Sequence, residues 1–183
     1  MRALLLAVVA GLIGTMPVRA QGIPEVRILE HGRYSAEHER VTTDPAYGVT
    51  GVSPMRIADD IHLVETTDRV EARICERFGI MFAAPGLPAW RTLPVTIRVR
   101  HPLIVRPDGV QSELETWRSA LGRERAMSGF DFNEPWELVP GTWTIEVVYR
   151  DEVLASQRFD VVPASRASRA GGRALEDCGV PVS

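Results

Sequence analysis

An alternating run of residues toward the C-terminal end of the 183-residue chain constrains its fold more than any other feature. Trp143, Ile145 and Val147 occupy one side of a period-2 pattern, and the residues between them are polar. Such alternation is typical of a β-strand with one buried face. A Pro-Gly pair precedes the pattern and a polar reversal follows it. Residues 136–162 therefore predict a turn, a strand, a tight reversal and a second strand.

Five segments upstream carry related patterns, and turn-forming glycine and proline residues separate many of them. The predicted strands are Pro24–Tyr34, Ile61–Thr66, Val70–Phe82, Leu93–Arg100 and Gly129–Phe132. The chain lacks the alternation of strands and helices that a parallel sheet requires. The sequence therefore predicts an all-β fold, namely an immunoglobulin-like antiparallel β-sandwich of about seven to eight strands.

Three further segments are less regular. Tyr47–Val52 lies in a polar loop and predicts at most one short strand. His101-Pro102 is expected to end the preceding strand or to mark a sheet edge, because proline cannot donate to a ladder. Glu113–Met127 fits both helical and strand spacing. We favour a strand and a loop there, because the neighbouring segments are all predicted strands.

The N-terminal segment has the pattern of a secretory signal peptide. A short positive start precedes the apolar run Ala3–Met16, and small residues lead up to Ala20, after which we predict cleavage. An uncleaved N-terminal anchor is the alternative. We thus predict a signal peptide over 1–20, one domain over 21–163 and a flexible basic tail over 164–183, with a periplasmic or secreted location and no later membrane span.

Charge and composition exclude several functions. All 21 basic residues are arginine, so a Schiff-base lysine and a phosphate-loop lysine are absent from the chain. Removing Arg2 and Arg19 with the signal peptide leaves 19 basic against 24 acidic residues, a net charge of −5. An acidic chain is a poor candidate for nucleic-acid binding. No motif predicts a cofactor.

The chain has two cysteines, Cys75 and Cys178. In an oxidising compartment such a pair is more often bridged than free. Cys75 has the opposite parity to the apolar residues of its predicted strand, so its thiol should face outward, where the tail could bring Cys178. We predict a Cys75–Cys178 disulfide. A redox-active or metal-binding pair is the alternative, although no Cys-x-x-Cys spacing supports it.

Motifs for catalysis or metal binding are weak. Asp59, Asp60 and His62 form the best local group of metal-ligand residue types, but a metal needs three or four converging ligands. Ser53 precedes a proline and does not sit in a nucleophile elbow. The paired carboxylates Asp131 and Glu134, beside neighbouring aromatics, could line a sugar site, although a solvated loop beside core aromatics is the more common case. No catalytic, cofactor-binding or metal-binding residue is therefore predicted.

Three tryptophans matter for a possible binding role. Trp143 belongs to the inward side of its strand and is predicted to be core. Trp90 lies in a proline-flanked loop and is the best candidate for an exposed contact with a protein or a glycan. Trp136 is a second candidate surface contact, and the sequence leaves open whether it packs or is displayed.

Several of these segments carry a family resemblance. The stretch Gly129–Thr144, the following Leu154–Phe159, the Leu93–Thr96 strand and His101-Pro102 together resemble an uncharacterised bacterial family of exported proteins with an immunoglobulin-like domain of unknown function. The similarity covers Val26–Val162. It implies an immunoglobulin-like fold and a cell-envelope address, and it implies no activity and no catalytic residues. The cysteine pair and the basic tail are not features of the family.

The sequence therefore favours a non-enzymatic binding or structural module of the cell envelope, with an envelope protein or a glycan as partner. The alternatives are a periplasmic hydrolase with dispersed catalytic residues and, with less support, a small metal-binding protein. A deep pocket with two titratable groups in hydrogen-bond reach would favour the enzyme. An exposed tryptophan or an unpaired edge strand would favour binding. The sequence does not indicate an oligomeric state.

Overall fold

The structure is a computed structural model, and it describes residues 24–165 apart from 37, 43, 48, 52 and 54. Two short 3₁₀ turns lie at Pro45–Tyr47 and Pro135–Glu137. Over the described residues the chain forms eleven strands: β1 Arg27–Ser35, β2 His38–Thr42, β3 Met55–Asp59, β4 His62–Glu65, β5 Arg69–Ala72, β6 Arg77–Ala83, β7 Leu93–Val105, β8 Gln111–Leu121, β9 Ala126–Asp131, β10 Gly141–Tyr149 and β11 Glu152–Pro163.

These strands form two main sheets and one small hairpin. The first sheet has the order β4-β1-β6-β9, and the second has the order β5-β11-β10-β7-β8. Strands β2 and β3 form the separate antiparallel hairpin. Neighbouring strands are antiparallel except β5 and β11, which run parallel. The predicted antiparallel sandwich of immunoglobulin-like type is confirmed, with about eleven strands where about seven to eight were expected.

The core lies between the two main sheets, and aromatic side chains from both sheets meet in it. The Phe78 ring of β6 lies 5.1 Å from the ring of Phe159 on β11 and 5.7 Å from that of Trp143 on β10. Trp143 is fully buried, as predicted, and its indole Nε1 donates a hydrogen bond to the Val139 carbonyl at 3.0 Å. Non-polar burial from both faces therefore holds the sandwich closed.

The C-terminal hairpin agrees with the sequence prediction. β10 and β11 pair over their length, and β10 lies at the centre of its sheet with β7 on its other side. Phe159 and Val161 point into the core, and Pro163 is the last strand residue. The ambiguous segment Glu113–Met127 contains the greater part of β8 and the start of β9, so the preference for a strand is confirmed.

The predicted single strand Val70–Phe82 is wrong, because it is two strands in different sheets. β5 pairs with β11 and β6 pairs with β1, and a turn at 73–76 joins them. Cys75 has a left-handed φ of 66° in this turn, and the buried carboxylate of Glu76 pairs with Arg33 and with Arg73. Both strands turn their apolar residues toward the same core, so the alternation continues across the break and hides it.

The expectation that His101-Pro102 ends its strand is also wrong. β7 continues to Val105, and its pairing with β8 changes register between Arg100 and Ile104. A register irregularity is one of the few places where a sheet accepts a proline, because no ladder hydrogen bond is lost there. The extension places His101 inside the molecule, where its side chain is buried.

Residues 36–61 connect β1 to β4 and carry the β2–β3 hairpin. The expected short strand over Tyr47–Val52 is reduced to a single antiparallel bridge, in which Thr50 pairs with Thr116 of β8. The chain thus departs from the first sheet, reaches the edge of the second sheet and returns. We call residues 44–61 the crossing segment.

Candidate functional site

A pocket of about 340 Å³ lies where the crossing segment meets β8 and β9. These two strands are the outermost strands at one side of the two sheets, so the pocket opens beside both sheet edges. Its walls combine apolar side chains with a few polar and charged ones. Its apolar and aromatic side chains include Tyr47, Met55, Ile57, Ile61, Trp117 and Met127.

An ion pair on β6 and β9 lies in this pocket. The guanidinium of Arg77 binds the carboxylate of Asp131 through two hydrogen bonds, Nε to Oδ1 at 2.5 Å and Nη2 to Oδ2 at 2.9 Å. Only 7% of the Arg77 side chain and 18% of the Asp131 side chain are exposed. Two parallel N–H to oxygen bonds fix both groups in one orientation, so the pocket wall is rigid and charged with both signs at this point.

A second polar cluster surrounds the carboxylate of Glu115 on β8. The Ser53 amide donates to Glu115 Oε2 at 3.3 Å, and His101 Nε2 lies 3.5 Å from Oε1. His101 Nδ1 donates to the Pro102 carbonyl at 2.8 Å, which fixes the ring. Gly51 lies so close that a Cβ built there would collide with the carboxylate of Glu115. This carboxylate therefore anchors the crossing segment.

The order of these groups differs from that of a serine hydrolase. In such an enzyme the imidazole lies between the serine hydroxyl and the acid, where it can take the hydroxyl proton. Here Glu115 accepts a hydrogen bond from the Ser53 amide and lies beside His101, and no hydrogen bond joins the Ser53 hydroxyl to His101 Nε2 in the described part of the chain. The cluster can hold a loop in place, but its order does not activate a nucleophile.

A model of a domain of unknown function, DUF3859, matches residues 24–161. The chain belongs to the DUF3859 family. A 1.50 Å crystal structure of an immunoglobulin-like protein from Pseudomonas aeruginosa is similar to this chain at 26% identity, with a TM-score of 0.53. That similarity covers 78% of this chain and 99% of the other. No curated protein matches the chain.

The segment that follows β9 in this DUF3859 domain is held by a buried carboxylate. Glu137 is 1% exposed, and its Oε2 accepts hydrogen bonds from the amides of Asn133 at 2.7 Å and Glu134 at 3.0 Å. Burial raises the pKa of Glu137 above its ordinary value, and the hydrogen bond from the Asn133 amide offsets part of that rise. This carboxylate closes the 3₁₀ turn at Pro135–Glu137 and so supports the end of the pocket.

The raised pKa of Glu137 predicts a pH-dependent stability. Between the ordinary pKa of the unfolded chain and the raised pKa of the folded one, the native state holds a proton that the unfolded state releases. The free energy of unfolding therefore falls as pH rises through this window, and Glu137→Gln should remove that fall. Urea unfolding over a pH series measures the difference. Glu113 is exposed, so Glu113→Gln should show the same dependence of the free energy of unfolding on pH as the wild type. If Glu137→Gln also keeps the wild-type pH dependence, the raised pKa of Glu137 is contradicted.

The two predicted surface contacts occupy different environments. Trp90 is 84% exposed, in the turn that precedes β7. Trp136 is half-buried and packs against the core, with the guanidinium carbon of Arg106 lying 5.8 Å from the centre of its ring. Neither tryptophan lines the pocket. A role as contact residue stays a prediction for both.

The predicted disulfide also stays a prediction, because Cys178 lies outside the described residues. Cys75 is half-buried in the turn between β5 and β6, and its amide donates to the Phe132 carbonyl at 2.8 Å. β11 ends at Pro163, which pairs with Ala72 only three positions before Cys75. The chain therefore leaves the sandwich close to this cysteine. The predicted signal peptide and almost all of the predicted tail, from residue 166 onward, lie outside the described part.

Other expectations concern metals and membranes. Asp59, Asp60 and His62 are exposed around the turn between β3 and β4. Among the residues that the structure describes, no three His, Cys, Asp or Glu side chains are grouped closely enough to hold a metal ion. In the same part of the chain, no helix has the length and apolar character needed to cross a membrane.

Sequence reasoning missed the residues that build the pocket. Arg77 has the same parity as Cys75, whose side of the predicted strand was expected to face solvent. It does leave the core side of β6, but it is buried. Glu115 was not singled out, because its neighbours fit an ordinary strand. The one available signal was the length of the loop between the first two predicted strands, since long loops in compact domains are often functional.

Proposed function

We propose that this domain is a non-enzymatic binding module of the cell envelope and that the pocket between β8 and β9 is its ligand site. Ligand pockets in proteins have volumes of about 300 Å³ and above, and combine apolar walls with a few fixed polar groups. The pocket, at about 340 Å³, has both properties. The proposal rests on one observation: a pocket of this volume, with apolar walls and a few fixed polar groups, lies beside two outer strands.

The pocket chemistry supports recognition of a ligand over proton transfer. Arg77 and Asp131 are each held by the other, so neither is placed as a free acid or base. Trp117 and Met127 offer apolar surface, and Ser119 and Asn133 offer neutral hydrogen-bonding groups. Such an arrangement orients a ligand through contacts on several sides.

An envelope hydrolase is the second candidate, because the pocket does bring titratable groups within hydrogen-bond reach. The lack of a hydrogen bond between the Ser53 hydroxyl and His101 Nε2 weighs against it, because a serine hydrolase needs the imidazole in reach of the hydroxyl proton. The envelope location is supported by the apolar N-terminal segment with its small residues before position 21.

Filling the pocket should weaken ligand capture about ten-fold. Ser119 lines the pocket, and Ser119→Trp should block it. Ser156 is exposed on β11 of the same sheet, outside the pocket lining, so Ser156→Trp is a matched control. Immobilised wild-type and Ser156→Trp proteins are expected to retain the same components of an envelope extract. Ser119→Trp should retain about ten-fold less of them, which corresponds to a loss of roughly 1.4 kcal/mol of binding free energy.

Two outcomes would overturn the proposal. Equal capture by Ser119→Trp and wild type would show that the pocket is not the ligand site. Hydrolysis of p-nitrophenyl acetate by the wild type, lost in Ser119→Trp, would favour the enzyme. Circular dichroism of each variant confirms that it is folded before the capture is compared.

A further inference from the structure

We infer that the ligand of this pocket is an extended peptide segment of a partner protein, which adds as a strand to the outer edge of β9. The inference rests on the proposed function of the pocket and names its ligand class. Its basis is the direction of the main-chain hydrogen-bonding groups of β9.

The hydrogen bonds between β9 and β6 fix that direction. The Phe132 amide donates to the Glu76 carbonyl at 3.0 Å, just beyond the end of the paired region. In an antiparallel pair, residues alternate between pointing both main-chain groups at the partner strand and pointing both away. With the observed register, Phe130 and Ser128 point toward β6, and Gly129 and Met127 point away from it.

The outward groups of β9 lie open at the pocket. Asn133 Nδ2 donates to the Asp131 carbonyl at 3.0 Å, which closes one end of the edge. On the outward side, the amides and carbonyls of Met127 and Gly129 have no hydrogen-bond partner within the described parts of the chain. Both residues line the pocket. Main-chain groups are strong donors and acceptors, so this edge is a template for another strand.

The facing edge of β8 differs from that of β9, because other groups of the chain already form hydrogen bonds with its outward main-chain groups. Thr50 and Thr116 exchange two main-chain hydrogen bonds, at 2.9 and 3.0 Å. The Ser112 hydroxyl donates to the Leu114 carbonyl at 2.6 Å and accepts from the Leu114 amide at 3.0 Å. The outer strands at the opposite side, β4 and β5, are only four residues long. In the pocket between β8 and β9, the open main-chain groups over the described residues therefore belong to β9.

The surroundings of this edge suit a peptide. Trp117, Ile57 and Met127 provide apolar surface for side chains of the ligand. When a peptide adds to a sheet edge, main-chain bonds supply affinity and alternate side chains enter pockets. The ligand should therefore carry apolar residues at alternate positions.

The test uses a phage-displayed library of random linear peptides, selected on the wild-type protein. The enriched peptide is then synthesised, together with a twin that is N-methylated at alternate amides. Met127→Pro removes one outward N–H and leaves the bonds to β6 intact, because that N–H does not point to β6. Met127→Ala loses the same side chain and keeps the N–H, so it is the matched control.

Met127→Ala is expected to bind somewhat more weakly than wild type, because the Met127 side chain lines the pocket, and it is the reference for Met127→Pro. Met127→Pro should bind about ten-fold more weakly than Met127→Ala, and N-methylation of the peptide should cost about as much, since each removes strand hydrogen bonds. If Met127→Pro does not fold, the N-methylated twin decides the question. No enrichment of any peptide, or equal binding of the N-methylated twin, would overturn the inference.

The outcome is separable from that of the proposed function. If Ser119→Trp weakens capture of an envelope glycan while no peptide is enriched, the pocket is a ligand site and strand addition is wrong. If Ser119→Trp leaves capture unchanged, the ligand site itself is wrong.

Discussion

Replacing Trp143 by alanine is expected to lower the free energy of unfolding by about 3–5 kcal/mol. The indole is fully buried and lies 4.8 Å from the Phe130 ring and 5.4 Å from the Phe132 ring, so truncation leaves a large cavity between the sheets. It also removes the indole N–H that donates a hydrogen bond to the Val139 carbonyl. Urea unfolding followed by far-UV circular dichroism measures the change without relying on tryptophan fluorescence.

Trp90→Ala is the matched control for that experiment. The Trp90 side chain is 84% exposed, so the same truncation should change the free energy of unfolding by no more than about 0.5 kcal/mol. Equal effects of the two substitutions would show that the core is not centred on Trp143.

Replacing Asp131 by alanine is expected to cost about 3–5 kcal/mol of stability, because it removes the bidentate partner of a buried guanidinium. Only 7% of the Arg77 side chain is exposed, so water solvates the remaining guanidinium poorly. The effect should persist at high salt, since buried pairs are screened much less than exposed ones. Urea unfolding at low and high salt measures both properties.

Glu65→Ala provides the comparison for Asp131→Ala. Glu65 pairs with Arg33 at 2.8 Å, but 54% of its side chain is exposed and Arg33 also contacts Glu76. Its removal should cost roughly 0–1 kcal/mol. A similarly small, salt-sensitive effect for Asp131→Ala would contradict the assignment of a buried, rigid pocket wall.

The sandwich could be predicted because its signal is local. Alternation within β10, β7 and β6 marks one buried face on each strand, and Trp143 and Phe159 fall on that face in both sequence and structure. Turn chemistry at Pro140-Gly141 and Pro163 set the limits of the last two strands. Each of these features depends on a few neighbouring residues.

The break between β5 and β6 could not be predicted from the same signal. Period-2 alternation reports which side of a strand is buried and does not report which strand lies beside it. Val70 and Phe78 have the same parity and face the same core from different sheets. The turn between them depends on Glu76 meeting Arg33, a contact across 43 positions of sequence.

The pocket could not be predicted from the sequence, for a related reason. Arg77 and Asp131 become a site because the crossing segment lies against them, and Glu115 becomes an anchor because Gly51 approaches it. These are contacts between a loop and distant strands, for which no periodicity exists. A polar residue on the outward side of a strand has the same pattern whether water or a loop covers it.

The parallel pairing of β5 with β11 has a consequence for how the protein is made. Arg69 lies beside Asp160, a partner about ninety residues away, so the second sheet cannot be completed until the last strand has been synthesised. Until then the growing chain lacks Phe159 and Val161, and the apolar faces of the earlier strands remain uncovered. Translation that stops before β11 should therefore yield a substrate for chaperones and proteases in place of a smaller stable domain.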